Sequence, residues 1–317
     1  MRAVVATLAL GAVLASSVWS AALPPAASAT RASVSSSVPP GSFPKTATDT
    51  LGNPVTLRAP ARRIVSIALS ADEILIDLVP HERLVGITKF VDDPGTSPAS
   101  ARAPKTAVRV TGDPEALLAL RPDIIFASAY TRPEALSLMT GAGVPVIGSG
   151  AHATFDDILG AVTMIGDAVG EPERARAIVA DARRRIEAVT NRPPVRPVRA
   201  LIWDGGFTYG RATLEDEILR LAGAVNVAKE AGLEGPTSLT EEAAVAFDPE
   251  IILVPVESEE AATKNRDLLG GAPIWNAVGA ARRGEVFGVP RAWLGCVSHH
   301  SVRALEAVAG ILDRRGT

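Results

Sequence analysis

The chain is poor in cysteine, in aromatic residues and in basic excess, and each shortage excludes something. Cys296 is the single cysteine among 317 residues, so no intramolecular disulfide can form. No cysteine lies near the amino terminus, so lipid attachment there is not expected. Lys+Arg total 32 against 35 for Asp+Glu, a net charge of −3, which gives none of the basic footprint that nucleic acid requires. No GxGxxG or Walker loop follows the first strand-like run, so a nucleotide would lack its phosphate cradle. Gly148-Ser149-Gly150 is too short for a nucleophile elbow, and no paired carboxylates mark strand ends. The expectation is a protein that is not an enzyme. Trp203-Asp204-Gly205-Gly206 reads as a ligand loop, not a catalytic turn.

What is present is apolar. Hydrophobic residues make up 47% of the chain, enough for a sizeable core and too many for disorder beyond the amino-terminal region. Arg2 precedes an almost wholly apolar or small stretch from Ala3 to Val18, and Ala27-Ser28-Ala29 fits the small-x-small pattern of signal cleavage. Residues 1–29 are therefore expected to be a cleaved signal peptide; an uncleaved anchor is the alternative, opposed by Pro24 and Pro25. Residues 30–45 form a Ser-, Pro- and Ala-rich leader. The mature chain is expected in the periplasm, without a lipid anchor.

Short β-branched runs then alternate with helical patterns. Strands are expected at 64–67, 84–88, 124–127 and 144–147, and a helix opening on a Ser70-Ala71-Asp72-Glu73 capping box. From Phe155 to Asn191 only helical spacing appears, at Ile158, Leu159, Val162, Ile165 and Val169, then Ile178, Val179, Ala182, Ile186 and Val189. Gly170 and Pro172 interrupt a run that reads as one long connector. Alternation resumes with strands at 198–203, 251–254 and 285–289 and a helix over 301–313. The expected fold class is α/β with parallel sheets. An amino-terminal lobe over 46–154 and a carboxy-terminal lobe over 193–317 flank a connector over 155–192. Pro114 to Ile125 resembles Glu241 to Ile252, 127 positions on (115 to 242), which suggests two lobes built alike with a ligand cleft between them.

In parallel sheets, ligands bind beyond the carboxyl ends of strands. That rule selects Lys89 and Phe90, Tyr130 and Arg132, His152, then Phe207, Tyr209 and Arg211, and finally Arg291 and Trp293. Core packing is the ordinary fate of any one aromatic, but only 4% of the chain is aromatic, so their concentration at strand ends favours a ligand. Cys296 and His299 stand three residues apart beside His300, a spacing able to chelate a metal ion. The alternative is a buried thiol beside helix-start histidines.

Several motifs carry a resemblance: Asp49 to Val55, Pro60 to Ser66, Ser70 to Leu75, Leu84 to Thr88, Leu120 to Ile125 and Leu221 to Asn226. In order and spacing they resemble the solute-binding proteins of ABC importers for ferric siderophores, cobalamin and haem. The resemblance runs from about residue 46 to the end. It implies two Rossmann-like lobes joined by a long, rigid backbone helix. It also implies a monomer that docks on a permease dimer at the inner membrane through one glutamate per lobe, here Glu115 and Glu242. Phe90 and Phe207 match positions where relatives place aromatic rings against a large planar ligand. Arg109 and Pro236 replace residues expected in cobalamin binders, and an arginine in the cleft suits an anionic cargo. The resulting expectation is a ferric siderophore or similar metal chelate, with no covalent cofactor. Cobalamin or haem in the same fold is one alternative, and direct metal capture by Cys296 and His299 another.

Overall fold

A computed structural model describes residues 42–316 except 51, 151, 194–195, 259, 261–267 and 270. The expected signal peptide and most of the expected leader lie outside the described residues. Lys45, at the leader's end, already belongs to a strand: β1 (Lys45–Thr48) pairs antiparallel with β2 (Pro54–Leu57).

The amino-terminal lobe holds five parallel strands, β3 (Ile64–Ser66), β4 (Leu84–Thr88), β5 (Val108–Val110), β6 (Ile124–Ser128) and β7 (Val146–Ser149), in the order β5-β4-β3-β6-β7. Helices α1 (Leu69–Leu78), α2 (Pro114–Ala119) and α3 (Pro133–Gly141) connect them. All three residues of β3 are buried, as are the first four of β6, because helices cover both faces of the sheet. The carboxy-terminal lobe repeats the plan with β8 (Val198–Ile202), β9 (Phe207–Tyr209), β10 (Ala224–Asn226), β11 (Pro236–Ser238), β12 (Ile251–Val256) and β13 (Val286–Pro290). Its parallel sheet runs β10-β8-β12-β13, and β9 and β11 form a separate antiparallel ribbon. Helices α6 (Leu214–Ala222), α7 (Val227–Glu230) and α8 (Glu241–Ala246) belong to this lobe, which a helix over Val302–Gly316 closes.

The connector is two helices rather than one. α4 (Phe155–Val169) opens on a reciprocal cap, Thr154 Oγ1 accepting from the Asp157 amide and Asp157 Oδ2 from the Thr154 amide. It ends at Gly170, whose φ of 80° is the left-handed cap that glycine adopts without strain. Pro172 then starts α5 (Pro172–Thr190) at a position where no amide donor is needed. The first half of α4 packs into the carboxy-terminal core through Phe155, Ile158 and Leu159, and its second half into the amino-terminal core through Val162, Ile165 and Val169. α5 runs back, from Ala175 and Ile178 in the first core to Ala182 and Val189 in the second. The two antiparallel helices are thus each seated in both cores.

The hairpin depends on close approach at Gly166, where a Cβ would lie 2.3 Å from that of Ala175. Gly166→Ala is expected to cost about 1–3 kcal/mol by overpacking and to lower the melting temperature by several degrees; an unchanged melt would mean the helices separate freely.

The predicted capping box at Ser70 does not form. The residue preceding α1 is Ala68, which offers no side-chain cap, and Asp72 and Glu73 point inward and are fully buried. Asp72 Oδ2 accepts from the Thr88 amide at 3.0 Å and the Thr88 hydroxyl at 2.6 Å, tying α1 to the end of β4. Glu73 accepts from Ser97 Oγ at 2.7 Å and from Cys296 Sγ at 3.3 Å, joining the two lobes.

Burial pushes the Asp72 carboxyl up to about 8, against the pull of its Thr88 bonds. A protein whose native carboxyl stays protonated where the unfolded chain ionises loses stability as pH rises from about 4 to 8. Glu215, which burial pushes up to about 7, acts in the same direction. Denaturant unfolding at pH 5 and pH 8 is expected to show lower stability at pH 8, and Asp72→Asn to shrink that difference. Equal slopes in both proteins would contradict this.

Candidate functional site

Each parallel sheet reverses its winding direction once, between β3 and β6 in one lobe and between β8 and β12 in the other. Loops leaving strand carboxyl ends at such points line a crevice. The two crevices converge, since Gly95, beyond β4, lies so close to Glu257, beyond β12, that a Cβ would sit 2.7 Å from Glu257 Oε2.

On the amino-terminal side a hollow of about 570 Å3 is bounded by Thr88, Lys89, Phe90, Ser128, Tyr130 and Arg132. Phe90 sits in a 3-10 turn whose neighbour Val91 is buried, so the phenyl ring turns outward and is 57% exposed. Lys89 Nζ stands 5.9 Å from that ring's centre. Tyr130 follows β6 and is 78% exposed, its amide donating to Ser128 Oγ.

On the opposite side a hollow of about 590 Å3 is bounded by Trp203, Asp204, Gly205, Gly206, Glu241 and Arg291, among others. Asp204 and Phe207 exchange both backbone hydrogen bonds across Gly205 and Gly206, whose φ values are 54° and 105°. Such a two-residue turn requires positive φ at both central positions, which two glycines supply. It presents Phe207, 51% exposed, at the start of β9.

Asp204 organises this wall. It accepts both arms of the Arg291 guanidinium at 2.8 Å and the Tyr209 hydroxyl at 3.0 Å. Burial, then the Asp204 charge, raise the Tyr209 phenol above its ordinary value, so it remains a neutral donor. Tyr209 and Arg291 therefore brace the loop that carries Phe207.

Other expected ligand residues are engaged elsewhere. Arg109 does not offer its charge to the cleft: it makes a two-armed ion pair with Asp92 at 2.6 and 2.7 Å and donates to the Pro104 and Ala107 carbonyls at 2.9 Å. Arg211 pairs with Glu234 at 2.9 Å. His152 is buried, Nε2 lies 3.2 Å from Ser149 Oγ, and burial lowers its pKa. Trp293 is half-buried against the carboxy-terminal core. Cys296 and His299 are not joined in one chelate: the thiol, raised well above its usual pKa by burial, faces Glu73 and Ser298, whereas His299 faces Asp77. Gly95, Glu257 and the bracing role of Asp204 escape the sequence reading, although the loop that holds Asp204 was marked by its adjacent glycines.

The two glutamates expected to dock occupy equivalent places. Glu115 and Glu242 are exposed in the first turns of α2 and α8, which begin at residues 114 and 241 and are capped by Asp113 and Thr240. Each helix is followed by a non-glycine residue with positive φ, Arg121 at 49° and Asp248 at 43°. Arg63 donates to the carbonyls of Leu120 and Arg121, and Arg199 to those of Phe247 and Asp248, so both turns are clamped alike. Glu241 is half-buried, 3.4 Å from Trp275 Nε1, which leaves Glu242 as the outward acid.

A larger hollow, about 1200 Å3, lies between β2 and the amino ends of β6 and β7, away from the convergent loops. Among the described residues no helix is long and apolar enough to cross a membrane.

The chain is similar to a cobalamin-binding protein of Halobacterium salinarum, 27% identical over 69% of this chain and 60% of that protein's length. An uncharacterised ABC transporter substrate-binding lipoprotein of Bacillus subtilis, YvrC, is 24% identical over 78% of each chain. A periplasmic haem-binding protein of Pseudomonas aeruginosa is 27% identical, with a TM-score of 0.63 over 81% of this chain and 94% of that one. The family model described as periplasmic binding protein matches residues 64–292, most of the chain, and spans both lobes and their connector. The chain belongs to the periplasmic binding protein family.

Proposed function

We propose that the protein captures a planar, metal-holding macrocycle of the corrinoid or haem class outside the cytoplasm and delivers it to an ABC permease. The observation that carries this is the exposure of Phe90 and Tyr130 on one wall and Phe207 on the other, in a chain only 4% aromatic. Rings held out into solvent from both lobes suit a broad flat face better than a small or strongly charged ligand. The names of the Halobacterium and Pseudomonas proteins agree with that cargo class. Glu115 and Glu242 are the proposed contacts with basic residues of the two permease subunits, and charge pairing at two equivalent points fixes orientation.

A ferric siderophore is the second reading. Lys89 and Arg132, both exposed beside Phe90 and Tyr130, favour it by offering positive charge to an anionic chelate. With Arg109 engaged by Asp92, the strongest reason for placing an anion deep in the cleft is gone.

Visible-absorbance titration of the mature protein with haemin and cyanocobalamin tests the proposal. Tyrosine is a recognised axial ligand of haem iron, and Tyr130 is the exposed phenol of the cleft. If haem is the cargo, Tyr130→Phe abolishes the spectral shift; if a corrinoid is, the variant binds cyanocobalamin as the unaltered protein does. Saturable binding of neither compound would overturn the macrocycle reading.

A further inference from the structure

Asp77, His299 and His300 meet at the junction of the lobes, away from the cleft. Asp77 lies in the last turn of α1, roughly 12 Å along the axis from its cleft end at 1.5 Å per residue. The histidines form the 3-10 turn that leads into the carboxy-terminal helix. The imidazole Nε2 of His299 and that of His300 each lie 3.0 Å from the same oxygen, Asp77 Oδ2. One ligand atom from each of the three residues falls within 4.8 Å of the others.

The hydrogen bonds here do not close. Arg102 donates to His300 Nε2 at 3.0 Å, so that nitrogen accepts and cannot also donate to Asp77. Its lone pair then faces the carboxylate. His299 has a matching difficulty: Nδ1 is buried without a partner, so whichever nitrogen holds the proton, a lone pair or an N–H is left unanswered. Two imidazoles and a carboxylate with ligand atoms this close together form the donor set of a nitrogen-rich metal site.

We propose that Asp77, His299 and His300 form an inter-lobe site for a divalent transition-metal ion of the zinc or nickel type, separate from the macrocycle cleft. In the structure the Arg102 guanidinium supplies the positive charge, bonding Asp77 Oδ1 and His300 Nε2. Its side chain is 41% exposed and can swing into solvent when an ion enters. Arg174, Arg185 and Arg303 also line the adjoining hollow, with Asp181; Arg185 is held by Glu306 at 2.7 Å. This basic rim moderates affinity and makes Arg102 the competitor of the metal. A bound ion ties α1 of one lobe to the start of the last helix of the other, at the junction where Glu73 already meets Cys296.

Calorimetric titration of the full mature chain with Zn2+ tests this. Expected is one saturable site, weakened about tenfold or more by His299→Gln and by His300→Gln, unchanged in His81→Gln and tightened in Arg102→Gln. Titration of the unaltered protein with Co2+ gives a measurement independent of any variant's folding: visible d–d bands of a low-coordinate centre are expected at one equivalent. No saturable Zn2+ or Co2+ binding, or binding that both glutamine variants leave intact, overturns the proposal. Neither result bears on the macrocycle, which is titrated separately in metal-free buffer.

Discussion

Alanine at both Phe90 and Phe207 is expected to weaken macrocycle binding by about two orders of magnitude while leaving the melting temperature nearly unchanged. Both rings are more than half exposed, so truncation removes little core packing. A phenylalanine presents about 150–250 Å2, and covering the half that faces solvent would yield about 2 kcal/mol at 25 cal/mol per Å2. Binding returns less than area suggests, because ordering and desolvation oppose it. About 1.4 kcal/mol, or tenfold, per ring is therefore the working figure. The rings stand on different lobes, on the turn after β4 and at the start of β9, so their effects should add. Isothermal titration of both single variants and the double variant checks this. Affinity unchanged in the double variant would place the ligand elsewhere.

Reversing charge at Glu115 and Glu242 to lysine is expected to abolish uptake, by about a hundredfold or more, without altering ligand affinity. Each reversal removes an attraction and sets like charges together, which costs several kcal/mol at a docked interface. Both side chains are exposed and no cleft-lining hollow includes them, so ligand binding has no reason to change, and folding loses only about 0.3–1 kcal/mol per helix from positive charge at its amino end. Glu134→Lys is the matched control, an exposed first-turn acid of α3 outside both hollows. Uptake in cells carrying the cognate importer, or ligand-stimulated ATPase of the reconstituted importer, gives the readout. Full uptake by the doubly reversed protein would remove the docking role from both residues.

The parts legible in the sequence were those written twice or written in period. The repeat at Glu115 and Glu242 survives as two helices with equivalent caps and equivalent strained turns, because local turn chemistry is encoded within a dozen residues. The long buried strands were legible for the same reason: β6 and β12 are apolar runs bounded by turn residues. Of the eight strands of three or four residues, β1, β2, β5, β9, β10 and β11 are too short to show a period, whereas β3 and β7 were legible as apolar runs. Features that depend on a distant partner were not legible. Ser70 to Glu73 satisfies the capping pattern in sequence, yet Thr88, Ser97 and Cys296 draw its acids inward. Arg109 fitted an anion-binding role until Asp92, seventeen residues away, claimed it. Gly170 and Pro172 marked the break in the connector, but only the fit of Gly166 against Ala175 makes the two pieces fold back on each other.

The most direct test of the central claim is a tryptophan-fluorescence titration of the protein with cyanocobalamin, haemin, a ferric siderophore and bare metal ions. Trp203 lines the cleft wall, its ring edge-on to Trp275 with centroids 5.1 Å apart, so an occupant should quench this pair. Expected is saturable one-to-one quenching by a macrocycle, at concentrations at least tenfold below those needed for the siderophore. Tight quenching by the siderophore alone, with both macrocycles silent, would contradict the claim.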